Sequence, residues 1–576
     1  MKNIKRVLNY LKKYKIYAIL APILIILEVI MDLMLPNMMS DIINIGVANQ
    51  DTKYVIINVI LMFLLTIIGV AGGLGSSFFA AKASENVAAD LRQEVFAKIS
   101  RLSFFNLEKI KPGHLLTVLT NDISTIGMLI MMGLRILFRV PVIFLGSLVM
   151  AFFIDLKLSL ILVILIPIVF MLVFTILRKA FPYFNKIQNC IDDVNSIVRE
   201  NVSGVRVVKA FVMEDKEISR FDSTNKRLLN TTLKGVKIIT ISMPIMMLAI
   251  NLATILILWF GGNMVVDGSL LVGDIFAFVQ YASNILSSLL MASMTIMMSS
   301  RSIVSAGRVF EILDAKEDFK NKKNSIVLND MKGKIEFKDV SFSYEGGSGD
   351  EVLKDINFTI NPNEKIAIIG AIGSGKSTIA NLIPRFYDVN KGEILIDDVN
   401  VKDIEIEFLR KSIGFSFQQT FIFSKTIKEN ISYGNLNSTQ DEIELAAKIS
   451  AASDFIEKKD KGYNYILEQR GVNLSGGQKQ RISIARSILI NPKILILDDS
   501  TSAVDVKTAK LIKNALDEHK KCTTLIITSR ISEALDADKV IVLDDGKLVG
   551  FDTPEKLLKN NIYYQEIYKS QLKEEK

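Results

Sequence analysis

The chain has 576 residues, of which 50% are hydrophobic and 23% are charged. It is too long for one ordinary domain, and both fractions can hold only if apolar and polar residues are segregated along it. The net charge of +8 does not indicate nucleic-acid binding, because much of the Lys and Arg flanks apolar runs, where it would face the cytosol and anionic lipid headgroups. The first 300 residues hold those runs, and the rest has the composition of a soluble α/β domain.

The first part of the chain is predicted to be an all-α transmembrane domain over residues 1–314. A helix needs roughly 20 apolar residues to cross a bilayer, and six segments are long enough. The loops after the second and fourth segments are long and basic, so the positive-inside rule places them and both termini in the cytosol. The segments lie near 16–40, 54–80, 136–155, 158–178, 238–262 and 274–298.

The two long loops contain few turn residues and continue a helical pattern. The membrane helices are therefore expected to extend well into the cytosol, with hairpin tips near 113–122 and 205–215. Residues 315–334 are polar and are predicted to be a linker. From residue 335 to 576, short strands alternate with helices, which is typical of an α/β domain with a largely parallel sheet.

The strongest motif in the α/β part matches the P-loop pattern G-x-x-x-x-G-K-[ST]. A predicted strand precedes it, and a helix is predicted to begin at its end. The glycines allow backbone N–H groups to surround the phosphates of ATP, the lysine reaches the β- and γ-phosphates, and the serine binds Mg²⁺. The motif and the residue after it are Gly370-Ala371-Ile372-Gly373-Ser374-Gly375-Lys376-Ser377-Thr378.

A second Mg²⁺ ligand is expected at the end of a buried strand. Four aliphatic residues in a row, 494–497, favour a strand covered on both faces, and Asp498 follows them directly. With the P-loop upstream, Asp498 is predicted to lie on the Mg²⁺ side of the site. The sequence therefore predicts ATP and Mg²⁺ as cofactors.

A five-residue string between these motifs makes the chain resemble the ATP-binding cassette (ABC) transporters over essentially its whole length. The six helices with long extensions are similar to the exporter branch of that family, in which the tips near 113–122 and 205–215 would be coupling helices. The resemblance implies that Tyr344 stacks on adenine and that Gln418 binds near the Mg²⁺ and links the nucleotide to the membrane domain. The string is Leu474-Ser475-Gly476-Gly477-Gln478.

The same resemblance implies a dimer of half-transporters. In the family, two cassettes stack head to tail, and each ATP lies between the P-loop of one and the signature string of the other. Ser475 and the amides of Gly476 and Gly477 would complete the γ-phosphate site of the partner, and Asp505 would lie in the loop that crosses the interface.

Two positions depart from the family pattern. The family has a Glu after the metal-binding Asp as the base that orients water, and this chain has Asp499. The family has a His that contacts the γ-phosphate, and Ser529 stands at that position, whereas His114 and His519 lie elsewhere. Tolerated drift would explain these changes, but a degenerate ATP site in a heterodimer would also explain why the signature string is intact.

The predicted function is ATP-driven efflux of amphipathic, multidrug-type compounds across the cell membrane, as one subunit of a heterodimer. The alternatives are a homodimeric lipid or peptide exporter, and a regulatory half-transporter that binds ATP with little hydrolysis. Glu28 and Asp32 lie four residues apart in the first membrane segment, on one helix face. They are interpreted either as an acidic patch that attracts cationic substrates or as a structural pair bonded to a neighbouring helix.

Overall fold

The computed structural model describes residues 2–110, 112–316, 321–322, 324–344, 350–519 and 522–572. The chain forms two compact units. The helical unit comprises Met1–Ser100 and Lys111–Ala315, and the α/β unit comprises Arg101–Ile110 and Lys316–Lys576.

The helical unit consists of long helices with short connections. Among the described residues, five helices are long and apolar enough to cross a membrane: Asn3–Val47, Thr52–Arg101, Pro112–Ile154, Leu156–Ser203 and Met247–Val266. The sixth predicted segment, 274–298, lies in another long helix, but the side chains of 293–298 are outside the described part. The helices are Lys2–Leu11, Lys15–Asp41, Thr52–Arg101, Pro112–Thr117, Ile123–Ile154, Leu156–Ser203, Val205–Ala210, Glu214–Thr240, Ser242–Val266 and Val272–Asp314, with tighter or wider turns at Lys12–Tyr14, Ile42–Val47 and Val118–Asp122.

The predicted extension of the membrane helices is confirmed. Thr52–Arg101 is one helix of 50 residues, which at 1.5 Å per residue is roughly 75 Å long. The hydrocarbon core of a bilayer is only about 30 Å thick. More than half of this helix therefore lies beyond the membrane core.

Small residues allow the first two membrane helices to approach each other closely. Gly69, Gly72 and Ser76 are buried along one stripe of the second helix. A Cβ atom at Gly72 would lie 3.0 Å from the backbone oxygen of Leu24, so a larger residue would push the helices apart. This is the usual packing solution in lipid, where apolar side chains gain little by leaving the bilayer.

Polar groups join the first and last helices of the helical unit. The hydroxyl of the fully buried Tyr281 donates to the backbone oxygen of Leu33 at 2.8 Å. Ser40 Oγ donates to Asp274 Oδ1 at 2.7 Å, and the side-chain oxygen of Asn44 accepts from a backbone amide of the last helix at 2.7 Å. These bonds satisfy groups that would otherwise be costly in an apolar environment.

The α/β unit contains two sheets. The antiparallel sheet has the order β2-β1-β4-β5, and the second sheet has the order β10-β9-β3-β8-β7-β6, with β10 antiparallel to β9 and the other neighbours parallel. The predicted largely parallel sheet is therefore confirmed. The strands are β1 (Ile335–Phe342), β2 (Leu353–Ile360), β3 (Lys365–Gly370), β4 (Lys391–Ile396), β5 (Val399–Asn400), β6 (Ile413–Ser416), β7 (Ile494–Asp498), β8 (Thr523–Ile527), β9 (Lys539–Asp544) and β10 (Lys547–Asp552).

The parallel strands bring the predicted site residues to one edge. β7 and β8 both pair in parallel, so Asp498 lies beside Ile527 at their carboxyl ends. β3 ends nearby at Gly370, since it pairs with β8 in the same direction. Ligands of open α/β sheets bind at this edge. The described helices of this unit are Phe104–Ile110, Lys376–Leu382, Ile406–Lys411, Ile427–Ile431, Gln440–Ile449, Ser453–Ile456, Gly476–Leu489, Val506–His519, Ile531–Ala534, Pro554–Asn560 and Ile562–Leu572, with 3-10 turns at Gly462–Asn464 and Gln469–Gly471.

The first hairpin tip differs from the prediction, because residues 112–122 are helical and lead directly into the helix Ile123–Ile154. Residues 113–122 belong to the helical unit, whereas the helix Phe104–Ile110 belongs to the α/β unit. The ring of Phe104 lies 4.9 Å from that of Phe386. Pro112 begins a helix, because proline is well suited to the first position of a helix.

The predicted linker, residues 315–334, also differs from expectation where the structure describes it. Ile326 forms a parallel bridge with Ile404, and Met331 is buried in the core of the α/β unit. Residues 317–320 and 323 of this segment lie outside the described part. Much of the segment is therefore integrated into the α/β unit, because its scattered apolar residues find partners there.

Candidate nucleotide-binding site

The P-loop connects β3 to the helix Lys376–Leu382 in a conformation that requires glycine. Gly373 and Gly375 have φ angles of 87° and 96°, which side chains rarely tolerate. A Cβ at Gly375 would also lie 2.6 Å from a methyl group of Leu353. The hydroxyl of Ser374 is buried and has no hydrogen-bond partner among the described residues. An unpaired buried hydroxyl in a glycine loop is suited to a phosphate oxygen.

The side chain of Lys376 contacts the backbone of that loop. Its ammonium group donates to the backbone oxygens of Gly370 at 2.8 Å and Ala371 at 2.7 Å. Burial lowers the pKa of Lys376, against the attraction of Asp498 and Asp499. A phosphate would offer this cation a full negative charge in place of two carbonyl dipoles.

Ser377 and Asp498 lie together on the side predicted for Mg²⁺. Ser377 Oγ donates to Asp498 Oδ1 at 3.0 Å, and Asp498 is 5% exposed. Burial raises the pKa of Asp498, and Asp499 adds to the rise, whereas the Ser377 hydrogen bond and Lys376 oppose it. A buried carboxylate gains by facing a cation, and Mg²⁺ prefers one or two carboxylates together with phosphate oxygens. These oxygen donors therefore fit Mg²⁺, which would neutralise phosphate charge.

The two positions that depart from the family pattern face the same cleft. Gln418 Nε2 donates to Asp499 Oδ2 at 3.4 Å. Asp499 has a φ of 46°, so its backbone turns sharply where the carboxylate enters the cleft. Ser529 is exposed at the end of β8. The cleft is lined by Val352, Ile372, Gly373, Gly375, Lys376, Ser377, Thr378, Gln418, Asp498, Asp499, Ile527, Thr528 and Ser529.

Four of these lining residues were not predicted to be site residues: Val352, Ile372, Ile527 and Thr528. Thr528 directly follows strand β8, and its position at the end of a parallel strand was the available signal. Val352 precedes β2 and offered no such signal. The predicted Tyr344 is near the site, since its hydroxyl lies 3.0 Å from Thr378 Oγ1.

Among the described residues, those that line this cleft include none of the signature string, whose Leu474 is buried and whose Ser475 and Gly476 are exposed. Ser475 caps the signature helix, Gly476–Leu489, and its side chain accepts from the amide of Gln478 at 3.3 Å. Gln478 Oε1 in turn accepts from the amide of Ser475 at 3.0 Å. This capping box leaves Ser475 and Gly476 exposed at the helix N-terminus, where anions are favoured.

Gln480 connects the signature helix to the segment after Asp499. Its Nε2 donates to the Asp499 backbone oxygen at 3.3 Å and to Ser502 Oγ at 3.1 Å. Its Oε1 accepts from the amide of Ala503 at 3.0 Å. Asp505, which lies two residues after Ala503, is exposed. The signature helix and the segment that contains Asp499 and Asp505 therefore form one hydrogen-bonded assembly.

In the helical unit, the predicted acids of the first membrane helix contact an arginine of the third. Arg139 donates to Glu28 Oε1 and lies 3.5 Å from Asp32 Oδ2. The other carboxylate oxygen of Glu28 is buried without a partner among the described residues. Sequence reasoning missed Arg139, although a charge within the segment 136–155 was a signal that it needs a partner.

Comparison with known proteins identifies the family. Residues 18–290 match the ABC transporter transmembrane region, and residues 353–502 match the family described as ABC transporter. The chain is 39% identical over 568 residues to the ABC transporter ATP-binding protein YfiB of Bacillus subtilis, and the match covers 98% of each chain. The chain belongs to the ABC transporter family.

Two further ABC proteins support this assignment. A Staphylococcus aureus protein named as a multidrug export ATP-binding/permease protein is 33% identical over 577 residues, which cover 99% of this chain and 100% of that one. A bacterial Atm1-family ABC exporter with ATP bound has a TM-score of 0.81 and 25% identity, over 97% of this chain and 98% of the other. The predicted exporter fold, ATPase domain and location in the cell membrane are confirmed.

Proposed function

We propose that this ABC exporter half-transporter binds MgATP in the cleft around Lys376 and works with a different half-transporter to export amphipathic compounds. ABC exporters function as dimers of half-transporters. The multidrug name of the Staphylococcus aureus relative supports this substrate class. Membrane lipid would be the medium from which such compounds enter.

The observation that carries the heterodimer proposal is the position of Asp499 and Ser529. Both line the same cleft as Lys376 and Asp498. Asp499 is one methylene shorter than glutamate, and a displacement of about 1 Å in a catalytic group can cost roughly 100-fold in rate. Ser529 offers a hydroxyl where an imidazole is expected. Slow hydrolysis in this cleft is the expected consequence.

The intact signature helix supports a second role for the chain. Ser475 and Gly476 are exposed and already held by the capping box. We infer that they complete the ATP site of the partner, which would have the Glu and the His but a damaged signature. A partner with complementary defects would give the pair one efficient site.

Glu28 and Asp32 are proposed to be mainly structural in this exporter. Arg139 contacts both carboxylates, which offsets their negative charge and weakens the case for a cationic-substrate patch. The exposed hairpin tip at 205–215 is proposed to be a coupling element, since Val207 and Phe211 are 61% and 68% exposed. We also propose that Phe104–Ile110 is the other coupling helix.

Dye efflux from inside-out proteoliposomes tests the transport proposal. Vesicles with both half-transporters should accumulate an amphipathic fluorescent dye when MgATP is added, and vesicles with Lys376→Ala should not if ATP binding in this cleft is needed. ATP binding without ATP-dependent movement of any dye, lipid or peptide would support the regulatory alternative instead. Accumulation by this chain alone would support the homodimer.

A further inference from the structure

The C-terminal helix, Ile562–Leu572, reaches the loop that carries Ser529. Gln571 Nε2 donates to the Ser529 backbone oxygen at 2.6 Å, and Gln571 Oε1 accepts from the Ile531 amide at 2.7 Å. One side chain therefore bridges the backbone on both sides of Arg530. Both bonds are short and use opposite ends of the same planar amide, so they define the position of the loop in two directions.

The switch loop, residues 528–531, is connected to the rest of the ATP site. Thr528 and Ser529 line the cleft. Thr528 donates its amide to the Ile368 backbone oxygen at 3.2 Å, and its hydroxyl accepts from the Arg530 amide at 3.0 Å. Arg530 Nη2 donates to the Ser502 backbone oxygen at 2.9 Å. A shift of this loop would therefore move groups on both sides of the nucleotide cleft.

The C-terminal helix that carries Gln571 is held in place by packing and by a hydrogen bond. Tyr564 is fully buried against the outer face of β3 and β9, in a cluster with Ala367 and Ile369. Asn561 Nδ2, at the start of the helix, donates to the Val549 backbone oxygen at 2.7 Å. Because Ala367 and Ile369 belong to the strand that leads into the P-loop, the same helix packs on that strand and bonds to the switch loop.

We propose that Gln571 is a positioning residue for ATP hydrolysis, which holds the switch loop so that Ser529 faces the nucleotide and Arg530 contacts Ser502. Gln571 matters because residue 529 is a serine. If the backbone of the switch loop is displaced, a longer side chain could still reach the nucleotide, but the short side chain of serine could not. The inference depends on ATP hydrolysis by this ABC ATPase, and it holds whether the partner is a second copy or a different chain.

The test compares Gln571→Ala, Gln571→Glu and Gln565→Ala in the purified full-length chain. Gln571→Glu has nearly the same shape and keeps the acceptor for Ile531, but it loses the donor to Ser529. Gln565 is the matched control, since it is on the same helix and its Nε2 donates to Leu558 O at 2.8 Å and Lys559 O at 3.1 Å, away from the switch loop. Thermal unfolding of all three variants reports any general loss of stability.

The first measurement is single-turnover hydrolysis of radiolabelled MgATP over a range of enzyme concentrations. We expect both Gln571 variants to lose about tenfold in the rate constant, because both lose the hydrogen bond that Gln571 Nε2 donates to the Ser529 backbone oxygen. The half-saturating concentration should change less than about twofold, because the P-loop is untouched. Gln565→Ala should match the unmodified chain.

The second measurement is hydrogen exchange of residues 528–533 with and without MgATP, which needs no turnover. MgATP should protect this segment in the unmodified chain and in Gln565→Ala, but not in the Gln571 variants, whereas residues 370–378 should be protected in all four. Equal protection and equal rates in Gln571→Ala and Gln565→Ala would overturn the proposal. A fully active Gln571→Glu would overturn it too, because packing alone would then suffice. If hydrolysis is too slow to measure in the unmodified chain, the exchange result decides.

Discussion

At the scale of single residues, the proposed ATP cleft holds the predicted binding groups, whereas two of its proposed catalytic positions differ from the family pattern. Lys376, Ser377 and Asp498 lie together as a phosphate and metal site requires. The Asp499 carboxylate accepts a hydrogen bond from Gln418, and the Ser529 backbone oxygen accepts one from Gln571. Binding and hydrolysis are therefore expected to respond to different substitutions.

Restoring the family residues should raise hydrolysis in this cleft. Asp499→Glu extends the carboxylate towards the position of the attacking water, and Ser529→His restores an imidazole near the γ-phosphate. We expect a gain of roughly 10- to 100-fold from the double variant and a smaller gain from either alone, because a general base or a charge-stabilising group contributes on this order. Steady-state phosphate release measures the gain, and Asp499→Asn is the control, which should not gain. No increase in the double variant would argue against a degenerate site.

Removing Arg139 should destabilise the helical unit. The side chains of Arg139 and Glu28 are 24% and 16% exposed, and loss of one partner from a buried ion pair leaves the other charge uncompensated. Arg139→Met should therefore cost about 3 kcal/mol in unfolding free energy. The control is Arg227→Met, whose pair with Asp193 is more than half exposed and should cost less than about 1 kcal/mol.

The same pair distinguishes the two interpretations of Glu28. If its role is structural, Glu28→Gln lowers thermal stability in detergent and slows transport of neutral and cationic dyes alike. If Glu28 instead attracts cationic substrates, the variant keeps its stability and weakens transport of cationic dyes selectively. We expect the first result, because Arg139 already lies against the carboxylate.

At the scale of elements, the capping of a helix N-terminus determines which backbone amides are free to bind a ligand. Three helices of the α/β unit begin with the same capping box, at Thr426, Thr439 and Ser475. Only the box at Ser475 coincides with the signature string. Its cap keeps the first amides of the signature helix in place and exposed, so a local hydrogen bond prepares a site that another chain would use.

Ser475→Ala tests whether this helix start contributes to ATP hydrolysis as well as to protein stability. The substitution removes a cap worth about 1 kcal/mol and a hydroxyl from the proposed site of the partner. We expect unchanged MgATP affinity in the Lys376 cleft, measured by equilibrium binding, and at least tenfold lower hydrolysis by the assembled pair. Thr439→Ala removes a similar cap elsewhere, so it should lower stability equally without lowering hydrolysis. Equal hydrolysis by the two variants would contradict the proposed role of the signature helix.

At the scale of the whole molecule, the sequence predicted the features whose causes are local. Apolar runs predict membrane helices, and the spacing around Lys376 predicts a phosphate loop, because both depend on neighbouring residues. The contact of Arg139 with Glu28 joins residues 111 apart, and no local pattern indicates it. Gln571 is likewise 42 residues from Ser529, so its role emerges only from the folded chain.

Segment boundaries were the other weak point of the prediction. Pro112 and Gly113 are common in turns, but here they begin a helix. The polar segment 315–334 indicated a linker, but Met331 is buried in the core of the α/β unit. Proline suits the first position of a helix as well as a turn, whereas packing in the core of the α/β unit decided the conformation around Met331.

For the whole molecule, we propose that this chain binds ATP well and hydrolyses it slowly unless a different half-transporter is present. The most direct test is the ATPase rate of the purified chain in lipid nanodiscs, alone and after reconstitution with its partner, together with its MgATP affinity. We expect tight MgATP binding with very slow turnover by the chain alone, a large increase in turnover with the partner, and loss of that increase in Ser475→Ala. Rapid turnover by the chain alone, at the rate of an ordinary homodimeric exporter, would contradict it.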